Sequence, residues 1–411
     1  MSAAPQAQAP AAVVLLELSL QNFRNHRSSN IGFASGLTVV SGANGEGKTN
    51  LLEAIGYLSS LGSFRGASTD TMIGIDDDTA YVRARLDVGG REQLIEAQLD
   101  RRGRNRVQVN RQPLRRARDL LGTLRVVVFA PDDLAIVKGG PGERRSMLDE
   151  VLSTVHPRHE SDRSDLDRIL RQRASVLKQA AGRRAPEIDA TLDVWDAKLH
   201  DVGTRHAAAR AALVDELQPL VADLYAALAG RAIPVELNYR RSWEGELVDA
   251  LAASRDDDVR RRISLVGPHR DDLEVRLDGL PARTHASQGE QRSLALALRL
   301  GSQRVIAARV GREPIVLLDD VFSELDVDRA RALVRELPSV QTILTTATGS
   351  VPDGAVPARS YVVADGQVAE VDANRHDDGV DTEPVIDLDA AAQVGDTSAR
   401  LDDATAEVDD V

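Results

Sequence analysis

The chain has 411 residues, 42% of them hydrophobic, with no cysteine and a formal net charge of −13. That length allows two or three domains, the missing thiols exclude disulfides and cysteine-based metal sites, and no apolar run reaches the roughly 18 residues of a membrane span. The acidity is local: residues 371–411 hold 13 carboxylates against 2 arginines, which leaves residues 1–370 near neutral at −2 and able to carry a basic surface.

The first residues, MSAAPQAQAPAA, lack the basic start and long apolar core of a signal peptide and read as a flexible leader over 1–13. In LLELSLQNFRNHRSSNIGFASGLTVVSG, β-branched and apolar runs broken by Asn, Ser and Gly predict successive strands. A helix over about 48–61 follows, with Leu51, Leu52, Ile55 and Leu58 on one face.

Between the last strand and that helix lies GANGEGKT, a G-x-x-x-x-G-K-[ST] loop. Backbone N–H groups of Gly42, Ala43, Asn44, Gly45, Glu46 and Gly47 can curl around phosphate oxygens. Lys48 then reaches the β- and γ-phosphates of ATP, and the Thr49 hydroxyl serves Mg²⁺.

YVRARLDV, LIEAQLD and RVQVN alternate as antiparallel strands, with RRGR as a turn. Residues 101–118 contain eight arginines. Arg101, Arg102 and Arg104 there suit DNA phosphate contacts, and a solvated hairpin face explains them equally well. Arg144 and Arg145, in GGPGERRSMLD, are a second basic candidate. Few aromatics flank either patch, so backbone and shape recognition is expected rather than base stacking.

RVVVFAPDDLAIVKGGPGERRSMLDEVL (125–152) marks a change of character, and after it the chain reads as mostly helical to about 230. Leu166, Ile169, Val176 and Ala180 form one apolar seam, interrupted at Arg173. Leu192, Trp195, Leu199, Val202, His206, Ala209 and Leu213 form a second, stepping 3-4-3-4-3-4. Two helices packed as an antiparallel pair are expected, joined at 182–186, with Pro219 kinking or ending the second.

Strand character returns near 263. IVLLDD places Asp319 at the exposed end of a buried strand, where it can hold Mg²⁺ through water, and Asp320 beside it can orient or deprotonate an attacking water. In SQGEQ, Ser287 and Glu290 form a capping box at the start of an apolar helix.

A P-loop, then SQGEQ, then IVLLDD resembles the ABC-type ATPase heads of SMC-like proteins. LSLQNFRNH, LGSFRGA, FAPDDL, GGPGERRSMLD, GPHRDDL, SQGEQR and LLDDVFSELD narrow the resemblance to the RecF family. The resemblance implies an α/β fold: a P-loop ABC-type ATPase head with an antiparallel β subdomain, an inserted mainly helical second lobe, and a disordered acidic C-terminal tail. The expected divisions are 14–125 and 263–371 for the head, 126–262 for the arm lobe and 372–411 for the tail. In such heads Ser287 and Gly289 would cap a γ-phosphate held by the other subunit. Arg24 would approach the nucleotide, Arg65 would face nucleotide or DNA, and FSELD (322–326) would cross the dimer interface. FAPDDL lacks the usual glutamine, leaving Asp132 or Asp133 as a Mg²⁺–water contact.

The family further implies an ATP-dependent homodimer on single-stranded and duplex DNA or gap junctions. It works with RecR and RecO, and indirectly with RecA, in DNA repair, replication and the SOS response. A cytoplasmic, nucleoid-associated protein with no membrane role is expected. Asp320 stands where many such enzymes have Glu, and Thr345 and Thr346 stand where a histidine is usual, which implies weak hydrolysis. The alternative is an SMC-like chromosome-organising ATPase, for which the arm is too short.

Overall fold

Four buried apolar residues, Ile315 to Leu318, make a strand that can only sit inside a sheet covered on both faces. It does so in a computed structural model that describes residues 12–371 apart from Ser339 and Ser350. The expected acidic tail and nearly all of the expected leader lie outside the described residues.

The head sheet runs Gln367–Val371, Pro357–Ala364, Leu37–Ser41, Thr342–Thr346, Ile315–Asp319, Val126–Phe129. Its strands pair in parallel, except that Gln367–Val371 at one edge runs antiparallel to its neighbour. Val126–Phe129 completes this sheet, so the expected boundary at 125/126 cuts off a head strand; four consecutive buried apolar residues were the signal.

A second sheet, antiparallel, runs His26–Gly32, Val13–Phe23, Thr79–Val88, Glu92–Asp100, Arg106–Val109, Gln112–Pro113. Its alternating residues Leu18, Leu20, Val82, Ala84, Ile95 and Ala97 turn inward. They share one core with Leu51, Leu52, Ile55 and Leu58 of the P-loop helix Lys48–Ser60.

The helices Pro157–Gln179 and Pro186–Ala229 pack as an antiparallel pair. Leu166 and Ile169 meet Leu199 and Val202, whereas Val176 and Leu177 meet Leu192. The longer helix does not end at Pro219, which sits inside its 44 residues. Its second half leaves the arm and enters the head: Leu213, Leu217, Val221 and Leu224 pack with Leu294, Leu298 and Val305 of the helix Gln288–Val310. Gln218 ties it to the strand Val235–Arg240 by donating to the Val235 carbonyl and accepting from the Leu237 N–H.

The two polar interruptions of the apolar seams are ion-pair sites. Arg173 is fully buried, 2.7 Å from Asp196 and 2.8 Å from Asp258, and donates to Ser264 Oγ. His206 Nε2 lies 3.0 Å from Asp149, which also accepts a bidentate pair from Arg210 at 2.7 and 2.6 Å. Arg210 donates in addition to the Pro268 carbonyl, fastening the arm to the GPHRDDL turn.

Removing one partner of such a buried cluster strands a charge. Asp258→Ala should therefore lower unfolding free energy by about 3–5 kcal/mol. Urea denaturation followed by circular dichroism checks this, and Asp258→Asn should lose less.

Candidate functional site

The P-loop leaves the strand Leu37–Ser41 through Gly42, whose φ is 150°. A Cβ there would stand 2.3 Å from the Val363 carbonyl oxygen, so glycine is required. At Gly47, φ 114°, a Cβ would meet the side chains of Asn25 and His26 at 2.7–2.8 Å.

The loop is braced from behind. Asn25 Nδ2 donates to the Glu46 carbonyl at 2.8 Å, and Asn50 Nδ2 donates to Asn25 Oδ1. His26 is buried with Nε2 3.0 Å from the Gly47 carbonyl and Nδ1 2.9 Å from that of Gly366. Burial pushes the His26 imidazole below its ordinary range. The Gly366 N–H donates to the Glu46 carbonyl, and the Asp365 N–H to the Glu46 carboxylate. In front, Ala43, Asn44 and Gly45 are exposed, and a Cβ on Gly45 would meet open space.

Lys48 Nζ donates to the carbonyls of Gly42 and Ala43 at 2.6 and 2.8 Å, holding its ammonium at the mouth of the loop. Burial lowers its pKa, opposed by the charges of Asp320, Asp319 and Glu46. The Thr49 hydroxyl donates to Asp319 Oδ1 at 2.8 Å. So does Thr345, also at 2.8 Å. Burial pushes the Asp319 carboxyl up, and these two hydroxyls pull it back. Asp320 follows in a left-handed conformation, φ 48°, with its N–H donated to the carbonyl and hydroxyl of Thr345.

An open cradle of N–H groups, a poised ammonium, and a hydroxyl against a carboxylate suit a polyphosphate with a hard divalent cation. Thr345 is a residue that sequence reasoning noticed only as the absence of a histidine. His26 and Asn25 lay within the quoted NFRNH without an assigned role; their signal was the loop glycine that leaves them room.

Several expected site residues already have partners within the chain. Arg24 is committed elsewhere: Nε and Nη2 form a bidentate pair with the buried Glu53 at 2.8 Å, and Nη1 donates to the Thr71 carbonyl. Its guanidinium ties the NFRN turn to the P-loop helix. Asp133 Oδ1 accepts from Arg299 at 2.6 and 2.8 Å and its Oδ2 accepts from the Ala130 N–H. Asp132 stays exposed. Arg65 is exposed too, its Nη1 3.4 Å from Asn50 Oδ1, and it lines a cleft of about 710 Å³ with Asp132.

Arg144 is buried in a bidentate pair with Asp272 at 2.8 and 3.0 Å, and Arg145 donates to the Asp271 carbonyl. Arg144 therefore offers no surface to DNA, and Arg145 is half-buried. Arg101 spends its guanidinium on the carbonyls of Asp77 and Gly74. Arg102 and Arg104 remain exposed, as do Arg106, Arg111, Arg115, Arg116 and Arg118.

Ser287 caps the helix Gln288–Val310 and is exposed, with its hydrogen bonds going to Glu290. Gly289 lies under the Arg329 guanidinium, whose atoms would be 3.1–3.3 Å from a Cβ. Arg329 also donates to Ser293 and pairs with Asp326. Arg292 pairs with Glu324 at 2.9 Å and donates to its carbonyl. SQGEQ and FSELD are thus laced together by two arginines.

A model of the RecF/RecN/SMC N terminal domain matches residues 14–356. The DNA replication and repair protein RecF of Frankia alni is 44% identical over 374 residues, covering 86% of this chain and 98% of that protein. The protein of the same name from Streptomyces avermitilis is 41% identical over 370 residues, covering 86% and 99%. A solved structure of the recombination mediator protein RecF with ATP, in the RecFOR pathway, superposes with a TM-score of 0.81 at 28% identity over 89% of this chain and all of that one. An Smc head domain from Pyrococcus furiosus shares the fold, with a TM-score of 0.52 at 17% identity over 87% and 96%.

Thr345→Val keeps the shape and removes one donor from Asp319 and one acceptor from the Asp320 N–H. It should weaken Mg²⁺-dependent ATP binding about tenfold and cost about 1–3 kcal/mol of stability. Titration with a fluorescent ATP analogue, with and without Mg²⁺, measures the first.

Proposed function

The chain belongs to the RecF family, on a family model that matches residues 14–356 and relatives more than 40% identical along nearly their whole length, and from that premise we propose an ATP-operated DNA clamp that serves replication and repair. The observation that carries the reading is the Thr49–Asp319 hydrogen bond, which joins two motifs 270 residues apart in sequence.

In this reading Gly42 to Gly47 bind the triphosphate through their N–H groups, and Lys48 leaves its two carbonyls for the terminal phosphates. Thr49 and Asp319 hold Mg²⁺, which neutralises phosphate charge when bound. Asp320 takes a proton from the attacking water at its carboxylate. Its short side chain and fixed left-handed backbone limit its reach, so turnover is weak and ATP works chiefly as a closing signal. Ser287 and Gly289 cap the γ-phosphate held by a second copy, which makes the ATP-bound form a homodimer.

Arg102 and Arg104 contact DNA phosphates, with Arg65 at the nucleotide end of the same lobe. Asn105, which directly follows Arg104, supports this placement: its Nδ2 lies 3.2 Å from Tyr57 Oη on the P-loop helix and 3.4 Å from Thr69 Oγ1. Gapped DNA with single-stranded and duplex segments is the proposed substrate, and RecR, RecO and, through them, RecA are the proposed partners. Such work belongs in the cytoplasm, on the nucleoid. Among the described residues no helix is long and apolar enough to cross a membrane. A long-armed chromosome organiser is disfavoured, because the 44-residue helix buries its second half in the head.

Lys48→Met should abolish ATP-dependent dimerisation, since a neutral side chain cannot replace a charge-assisted phosphate contact. Ser287→Arg should keep ATP affinity as a monomer and also fail to dimerise. Mixed together, the two variants should recover a heterodimer with one intact composite site, seen by sedimentation with ATP. No recovery, or wild-type dimerisation by Ser287→Arg alone, would refute capping in trans.

A further inference from the structure

Both donors that Ser287 could offer a phosphate are engaged within the chain. Its N–H and its hydroxyl donate to the same carboxylate oxygen of Glu290, at 2.8 and 2.9 Å. The other Glu290 oxygen pairs with Arg231. Arg231 directly follows Gly230, the left-handed cap of the long helix Pro186–Ala229, so the arm's main helix ends on this carboxylate. The Arg231 side chain is 58% exposed and that of Glu290 is 18% exposed. Tyr225 of the same helix lies close by; burial first, and the Glu290 charge second, push its phenol up.

A phosphate approaching Ser287 therefore meets a negative charge that already holds both donors. A capping box accounts for the Ser287–Glu290 bonds and would be served equally by glutamine. It does not account for Arg231, which contributes nothing to a cap except neutralisation of the carboxylate.

We propose that Glu290 and Arg231 form a latch on Ser287: Glu290 is a positioning residue that keeps the donors in reserve, and Arg231 offsets its charge so that a partner-bound phosphate can take them. This rests on the reading of Ser287 as a cap in trans. The latch connects the end of the arm to dimer closure, because any movement of the helix terminus that draws Arg231 away leaves Glu290 uncompensated in front of the phosphate.

The test compares wild type, Glu290→Gln, Arg231→Ala and the double variant by sedimentation across protein concentration with saturating ATP and Mg²⁺. Glu290→Gln keeps the cap and removes the charge, and should lower the dimerisation midpoint about three- to tenfold, as expected for relieving one like charge several ångströms from a phosphate. Arg231→Ala should raise it by a similar factor. In the double variant the Arg231→Ala penalty should vanish. All differences should shrink as salt is raised, while ATP affinity of the separated subunits and the urea midpoint stay at wild-type values. An unchanged or raised midpoint for Glu290→Gln, or an Arg231→Ala penalty that survives in the double variant, would overturn the latch. Ser287→Arg run in parallel separates the two ideas: if it dimerises like wild type, capping in trans itself falls.

Discussion

A carboxylate at the buried end of an apolar strand is the constraint from which the site is built. Asp319 is 7% exposed, and burial drives it toward its neutral form, which would be a poor metal ligand. Two hydroxyls oppose that drive, one from the P-loop helix and one from the intervening strand. The parallel register places Thr345 opposite both Val40 and Asp319, so the acid strand and the P-loop strand are separated by a single strand. A one-residue slip of Thr342–Thr346 would turn Thr345 to the other face. It would remove the donor to Asp319 and the acceptor for the Asp320 N–H together.

The same logic explains why the P-loop is fixed at its back and open at its front. A loop that ordered itself only on binding would lose affinity to the entropy of that ordering. Here the ordering is done in advance by segments distant in sequence: the Asn25–His26 turn and the Asp365–Gly366 hairpin. The arm is fixed to the head in a comparable way: buried Arg210 is shared between Asp149 and the Pro268 carbonyl, and buried Arg144 between the Gly139 carbonyl and Asp272. Such clusters add little net stability over apolar packing. They do define one arrangement, because a shifted arm would strand several charges at once.

Motif order, the buried IVLLDD strand and the apolar faces of the helices were legible in the sequence, since each depends on local pattern. The partners of charged residues were not. Arg144 and Arg104 look alike in sequence, both in glycine-containing, arginine-rich segments, yet one is buried on Asp272 and the other faces solvent. The difference is set by Asp272, 128 residues away. The partners of Arg24 and Asp133, Glu53 and Arg299, were hidden for the same reason, because no periodicity encodes such a pairing. Arg173 shows the converse. An arginine in an apolar seam looked like a flaw, and it is the centre of a polar cluster whose acids come from two other helices. Pro219 did not end its helix because the packing of Leu213 to Leu224 against the head outweighs one lost backbone hydrogen bond.

Signals between the nucleotide carboxylates and the Ser287 turn have a short route in this fold. Asp320 is followed at once by the short helical turn Val321–Glu324, whose last residue is held by Arg292. Two residues on, Asp326 caps the next helix and holds Arg329, whose flat guanidinium rests on Gly289. A Cβ at 289 would stand 3.1–3.3 Å from that guanidinium and push it back by a few tenths of an ångström, so the glycine of SQGEQ lets the arginine lie close. Arg231 reaches the same turn through Glu290. The turn is therefore tied both to the carboxylate strand and to the end of the arm, with an ion pair on each route. Ion pairs at partly exposed positions are weak singly and sensitive to a new neighbouring charge. A phosphate arriving from outside would compete with them directly, so the element that meets it is the one whose internal bonds such a charge can most readily rearrange.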